Sequence, residues 1–198
     1  MNRDAQLIEC LESDRETLIN FKNGTDDLEN RLSSWKGRNC CQWQGISCKN
    51  RTKAVIAIDP YLTHIHNMMI LLIGFHLVPK LQILYLAGNK NLTASGIPES
   101  IGKLCNMDLF RMSINNLTST LPEFLEGIEH YFSQSPLPSL KYLDLSTNQL
   151  VGKLPEWLSK LENLVKLNLY NNSIHGPNPV PFGESTQNLT ELVIEKID

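Results

Sequence analysis

Five cysteines carry the most reactive chemistry in this sequence, and four of them, Cys10, Cys40, Cys41 and Cys48, crowd into its first quarter. Thiols in such a cluster either ligate a metal or close disulfides. None of these forms a two-residue-spaced pair, and no histidine follows Cys48 at zinc-finger distance, so disulfides and an oxidising compartment are the better reading. Four cysteines allow three pairings, and the neighbours Cys40 and Cys41 are poorly placed to bond each other, which removes one. His64 and His66 form an H-x-H pair with no carboxylate cluster beside it, and Asp26 and Asp27 read as a solvated turn, so no metal is expected. The sequence has no G-x-S-x-G elbow, phosphate loop, H-E-x-x-H helix or dinucleotide fingerprint. An enzyme is not indicated, nor is a cofactor.

A second chemical signal is the Asn-x-Ser/Thr triplet, the acceptor for N-glycosylation in exported proteins. It begins at Asn23, Asn50, Asn91, Asn116, Asn171 and Asn188. Composition fits a folded protein, with 41% apolar and 20% charged residues over 198 positions. A net charge of −3, with Lys and Arg scattered singly, points to no nucleic-acid or anionic-membrane partner. The most apolar stretch, Met68 to Pro79, falls short of the roughly 20 residues a membrane span needs, so no span is expected in this chain. The polar opening "MNRDAQLIECLESDRETLINF" does not read as a signal peptide. Localisation is therefore read from the cysteines and acceptors as extracellular or cell-surface, at the plasma membrane if the full-length protein is anchored.

What positions these groups is a repeat. From Leu81 onward the segments "LQILYLAGNKNLTASGIP", "MDLFRMSINNLTSTLP", "LKYLDLSTNQLVGKLP" and "LVKLNLYNNSIHGPNP" align, and "LTELVI" begins a fifth at Leu189. An isolated strand, "AVIAIDP", precedes them at Ala54. The markers Leu86, Met112, Leu145, Leu169 and Ile194 lie 26, 33, 24 and 25 residues apart. A period near 24 is that of a leucine-rich-repeat solenoid, and the 33-residue step holds the insertion "EHYFSQSPL". The expected architecture is of the right-handed β/α superhelix class. Short parallel β-strands line its concave face, its convex side is irregular or 3-10, and a helical cap covers its N-terminal end. In L-x-L both leucines share one strand face, and stacked coils bury them jointly. Asn89, Asn115, Asn148 and Asn172 fall where the chain leaves each strand, where a buried amide satisfies stray backbone groups. Pro98, Pro122 and Pro155 mark the strand or turn edges.

A solenoid must cover its first coil. "SDRETLINFK" offers a capping box with Ser13 as N-cap and Glu16 three residues on, and Leu18, Ile19 and Phe21 supply an apolar side. Trp35 and Trp43 add bulk. The stretch from "DRETLINFKNG" to "CCQWQGISCKNRTKAVIAID" resembles the plant-type leucine-rich-repeat N-terminal cap, and the G-x-I-P endings resemble the plant-specific repeat class. Together they resemble the ectodomains of plant receptor-like proteins and receptor-like kinases, and more distantly polygalacturonase-inhibiting proteins. The resemblance implies Cys10–Cys40 and Cys41–Cys48 bridges, each contributing about 2–4 kcal/mol. It leaves Cys105 over, expected to be a buried thiol.

The expected organisation is a flexible N-terminus at 1–9, a cap at 10–53, and repeats at 54–198. Within the repeats, 60–80 is degenerate, 129–137 is an insertion and 189–198 is truncated. In such a solenoid the outward strand positions form a concave recognition surface. Here Tyr85, Arg111, Asp144, Asn168 and Val193 make one column, and Ala87, Ser113, Ser146, Tyr170 and Glu195 the next. The ligand surface is expected at Tyr85, Arg111, Ser113, Asp144, Ser146, Asn168 and Tyr170. The resemblance implies a non-enzymatic recognition module in plant defence or developmental signalling. Its partners would be an extracellular protein, peptide or glycan ligand and a co-receptor. The rival readings are a secreted polygalacturonase-inhibitor-like protein and a truncated, pseudogene-like fragment without binding activity.

Overall fold

The computed structural model describes residues 9–58, 77–89, 101, 104–118, 120–121, 137–154, 158, 161–175 and 188–194. Helix α1 spans Glu12–Gly24, and a 3-10 turn follows at Cys40–Gln42. The strands are β1 (Ile46–Cys48), β2 (Val55–Ile58), β3 (Ile83–Tyr85), β4 (Leu109–Arg111), β5 (Tyr142–Asp144), β6 (Val151–Gly152), β7 (Lys166–Asn168), β8 (Ser173–Ile174) and β9 (Glu191–Val193). Among the described residues, one sheet runs in the order β1-β2-β3-β4-β5-β7-β9. The cap strand β1 is antiparallel to β2, and every later pair is parallel. A second, two-stranded parallel sheet joins β6 to β8, with Thr120 bridging to Val151 beside it.

Each coil repeats one backbone course. It opens on a turn in which the N–H of Leu81, Met107, Leu140 or Leu164 donates to the carbonyl three residues earlier. The two apolar residues of that turn and the two of the strand then point inward: Leu137, Leu140, Leu143 and Leu145 in one coil, Leu161, Leu164, Leu167 and Leu169 in the next. A further buried residue follows each turn out of the strand, at Leu117, Leu150 and Ile174. No coil closes a core alone; the leucines of neighbouring coils stack into one continuous cluster.

The turn out of each strand is held by a buried asparagine, as the sequence pattern anticipates. Asn148 donates from Nδ2 to Leu145 O in its own coil (2.8 Å) and to Met112 O in the preceding one (2.9 Å). Its Oδ1 accepts from Leu117 N at 3.2 Å. Asn115 and Asn172 repeat the arrangement one coil back and one coil on. The residue before each asparagine is left-handed, with φ of 79° at Gly88, 59° at Ile114, 55° at Thr147 and 55° at Asn171. That conformation suits Gly and Asn and strains a β-branched side chain, so Ile114 and Thr147 are the misfits of the series. Pro98, Pro122 and Pro155, most of the degenerate 60–80 segment and most of the 129–137 insertion lie outside the described residues.

In the cap, Phe21, Trp35 and Trp43 form a stack, with ring centroids 5.9 Å apart for the first pair and 5.6 Å for the second. The two indole N–H groups donate to Gln44 O and Lys36 O, so the buried rings leave no polar handle unmet. Cys10 is bonded to Cys40 and Cys41 to Cys48, with Cα separations of 5.3 and 5.5 Å. The capping box is a correction. Helix α1 starts at Glu12 with Leu11 as N-cap and no side-chain cap bond, so Ser13 is already inside the first turn. The group that fixes this end is Asp14, which is buried and accepts the Val55 N–H at 2.8 Å, tying α1 to β2. Desolvation pushes its carboxyl above the usual carboxylate range, against the lowering effect of that N–H. Asp27, read from sequence as merely solvated, accepts the N–H groups of Arg31 and Leu32 and organises the turn that delivers Trp35.

Two stability changes follow. Asn148→Ala leaves the buried Leu117 N–H without its acceptor and removes one of two amide donors from Met112 O and Leu145 O, and should cost about 2 kcal/mol. Ile114→Gly relieves the left-handed strain at an exposed position and should add about 1 kcal/mol. Urea unfolding with an unchanged m-value checks both.

Candidate functional site

The sheet face away from the leucine core is built by register. Cα pairing aligns Tyr85 with Arg111, Arg111 with Asp144, Asp144 with Asn168, and Asn168 with Val193. Because the ladder is parallel and each step is one coil, residues from five repeats stand side by side at the inter-strand spacing of about 4.8 Å. The column expected from sequence is therefore one physical row.

Arg111 is its hub. Its Nε lies 3.0 Å from Asp144 Oδ2 and 2.9 Å from Ser113 Oγ, and its guanidinium carbon sits 5.6 Å from the centre of the Tyr85 ring. Asp144 in turn accepts the Ser146 hydroxyl at 2.6 Å and the Ser146 N–H at 3.0 Å. The row is thus preorganised, each charged group held by a neighbour from its own or the adjacent coil. Asn168 Oδ1 accepts the Tyr170 N–H, which fixes that amide as well.

Ser113 and Ser146 correct the expected ligand surface. They are only 1% and 8% exposed, because the chain turns inward toward the asparagine ladder directly after each strand. They are hydrogen-bonded to Arg111 and Asp144 and offer almost no surface of their own. Tyr170, one coil on, does stand out, at 48% exposed. Glu195 of the same column lies outside the described residues. The sequence reading also missed the preceding row, Ile83, Leu109, Tyr142, Lys166 and Glu191, which the same register aligns. Carrying the strand alternation two residues earlier along each repeat finds it. Tyr142 is its most exposed ring, at 42%.

Charge on this face is self-compensated. Besides Arg111 and Asp144, Lys141 pairs with Asp108 at 2.8 Å and Lys166 with Glu191 at 2.5 Å, each across adjacent strands. Asp108 hydrogen-bonds the Lys141 ammonium and holds its pKa above the usual lysine value. In each of these three pairs the two charges cancel locally, which leaves little long-range field from them for steering.

Of the glycan acceptors, Asn23, Asn50, Asn171 and Asn188 are exposed and Asn116 is half-buried; Asn91 lies outside the described residues. Asn171 adjoins Tyr170, so a glycan there would crowd that end of the row. Asn188 donates its amide N–H to Glu162 O, a contact that Asn163 to Pro138 O and Asn106 to Pro79 O repeat along the rim. This second asparagine ladder was not read from the sequence. Cys105, expected buried, is half-buried and outside both disulfides. His64 and His66 lie outside the described residues. Among the described residues, the one compact metal-ligand group is Cys10, Cys40 and Cys41, and its sulfurs are in disulfide bonds. No described helix is long and apolar enough to cross a membrane.

Two family models match the sequence: the leucine rich repeat N-terminal domain over residues 11–49 and the leucine rich repeat over residues 123–174. Receptor-like protein EIX1 of Solanum lycopersicum is 30% identical over 179 residues, which are 81% of this chain and 16% of that protein. Serine/threonine-protein kinase BRI1-like 1 of Arabidopsis thaliana is 28% identical over 170 residues, 83% of this chain and 14% of that protein. The chain thus spans about one sixth of the length of these relatives or less. Among solved structures, a plant ice-binding protein superposes with a TM-score of 0.74 at 28% identity, covering 94% of this chain and 56% of its own. The Arabidopsis receptor kinase HAESA, in complex with the peptide hormone IDA and the co-receptor SERK1, gives 0.70 at 26% identity, covering 93% of this chain and 29% of its own.

A double-mutant cycle of Arg111→Ala and Asp144→Ala should return a coupling of about 0.5–1 kcal/mol, smaller in molar salt, since the pair is only partly shielded from solvent.

Proposed function

We propose that this chain, a leucine-rich-repeat protein related to plant receptor-like proteins and receptor kinases, is a non-enzymatic extracellular recognition module whose described sheet face binds a protein, peptide or glycan ligand in defence or developmental signalling. The observation that carries this reading is the row Tyr85–Arg111–Asp144–Asn168. It brings an aromatic ring, a guanidinium, a carboxylate and an amide from four repeats into one fixed, half-buried line on the solvent side of the sheet. Such a line has the composition of interface hot spots and loses little entropy on binding, because its members are already fixed. HAESA, similar in fold, is seen with a peptide hormone and a co-receptor. By extension, a ligand on this face and a co-receptor beside it are the partners proposed for this chain. The groups on the face are arranged for contact, with no nucleophile–base pair among those described.

The test uses the oxidised chain, immobilised and screened against a random peptide library and a panel of plant cell-wall oligosaccharides. A genuine ligand should lose about tenfold or more in affinity on Arg111→Glu or Tyr170→Ala, while Glu162→Ala, away from the row, leaves it unchanged. Recovered binders whose affinity ignores all three changes would place recognition elsewhere and sink the proposal.

A further inference from the structure

Cysteine pairing in the cap leaves two adjacent residues in two different bonds, Cys40 to Cys10 and Cys41 to Cys48. The Sγ atoms of Cys10, Cys40 and Cys41 lie within 4.8 Å of one another. The two bonds differ in access. Cys10 and Cys40 are buried, at 6% and 0% exposed, whereas Cys41 and Cys48 are half-exposed. They also close loops of different length, 30 residues against 7, so opening the Cys41–Cys48 bond frees far less chain.

We propose that Cys41–Cys48 is a reducible site, and that Cys41, once released, exchanges with the Cys10–Cys40 bond so that the cap interconverts between two pairings. A dithiol reductant opens the accessible bond: it gives up two electrons, becomes a disulfide itself, and leaves Cys41 and Cys48 as thiols. Cys41 Sγ, as thiolate, then attacks Cys10 Sγ. A Cys10–Cys41 bond forms and the Cys10–Cys40 bonding pair leaves on Cys40 Sγ, which takes up the proton Cys41 gave up. This step is redox-neutral. Attack on Cys40 Sγ instead would join sequence neighbours, the pairing already disfavoured. Oxidation of the freed Cys40 with Cys48, by the disulfide form of the same dithiol, completes the alternative pairing and returns both electrons. The exchange moves the anchor of α1, which starts two residues after Cys10, from Cys40 to its neighbour Cys41 in the Cys40–Gln42 turn. The aromatic stack of Phe21, Trp35 and Trp43 and the Asp14–Val55 bond hold the cap together meanwhile.

The experiment treats the oxidised chain with substoichiometric dithiothreitol at mildly alkaline pH, quenches with acid, alkylates, and maps labels and cross-links by fragmentation between residues 40 and 41; Cys105 is not scored. The proposal expects alkyl label on Cys40 and Cys48 together, matched by a Cys10–Cys41 peptide. In Cys48→Ser, where Cys41 has no partner, label should divide between Cys40 and Cys41 without added reductant. Label on Cys41 and Cys48 alone, with Cys10–Cys40 intact throughout, overturns the exchange. Label reaching Cys10 as early as Cys48 overturns the order of opening. If Cys48→Ser does not fold, the unmodified chain decides by itself.

Discussion

A side-chain amide can donate two hydrogen bonds and accept two, and this fold places that group where strands β3, β4, β5 and β7 end inside the molecule. Each of these described coils turns inward as it leaves its strand, which strands carbonyls and N–H groups between layers, where neither the sheet nor water reaches them. Left unmet, each costs on the order of 1–3 kcal/mol. Asn115, Asn148 and Asn172 meet them from two coils at once, and so lock the spacing between coils. The leucine layers supply the driving force for stacking, but leucines are tolerant of sliding. The amides are not, because a hydrogen bond weakens steeply with misalignment.

That fixed spacing is what makes a recognition row feasible. With coils in strict register, Tyr85, Arg111, Asp144 and Asn168 meet although they are drawn from segments scattered over more than eighty positions. The same register sets three pairs of opposite charges across adjacent coils, Arg111 with Asp144, Lys141 with Asp108 and Lys166 with Glu191. A face of this kind discriminates by shape and by directional hydrogen bonds, with little long-range attraction. The buried Ser113 and Ser146 belong to this design: they contribute no contact surface, yet they set the orientation of the two groups that do.

The cap answers a different problem. The first coil has no neighbour to cover it, and a short helix has too little apolar area for the task. Two indoles and a phenyl ring add the missing area, and two disulfides restrain a segment that holds little regular structure. The antiparallel β1 terminates the parallel ladder, so its first edge is covered by a cap strand.

Sequence alone determined whatever depends on period and residue type. The near-24 spacing of L-x-L, the asparagine after each strand and the cysteine and tryptophan content of the cap dictate a capped solenoid, since each is a local pattern repeated often enough to exclude accident. It determined too which side chains point outward from the strands, because alternation has a fixed period of two. Only the tertiary structure decided which of those positions remain exposed. Ser113 and Ser146 look equivalent to Tyr170 in the pattern, but their short side chains are taken up by Arg111 and Asp144, whereas the larger Tyr170 ring stands out into solvent. It also decided the start of α1: a capping box scored Ser13, but the long-range bond from Asp14 to Val55 fixes the helix against the sheet, and no local motif encodes a partner forty-one residues away. The ion pairs are of the same kind. Lys166 and Glu191 are unremarkable in the chain, and become partners only because one turn of the solenoid brings them side by side.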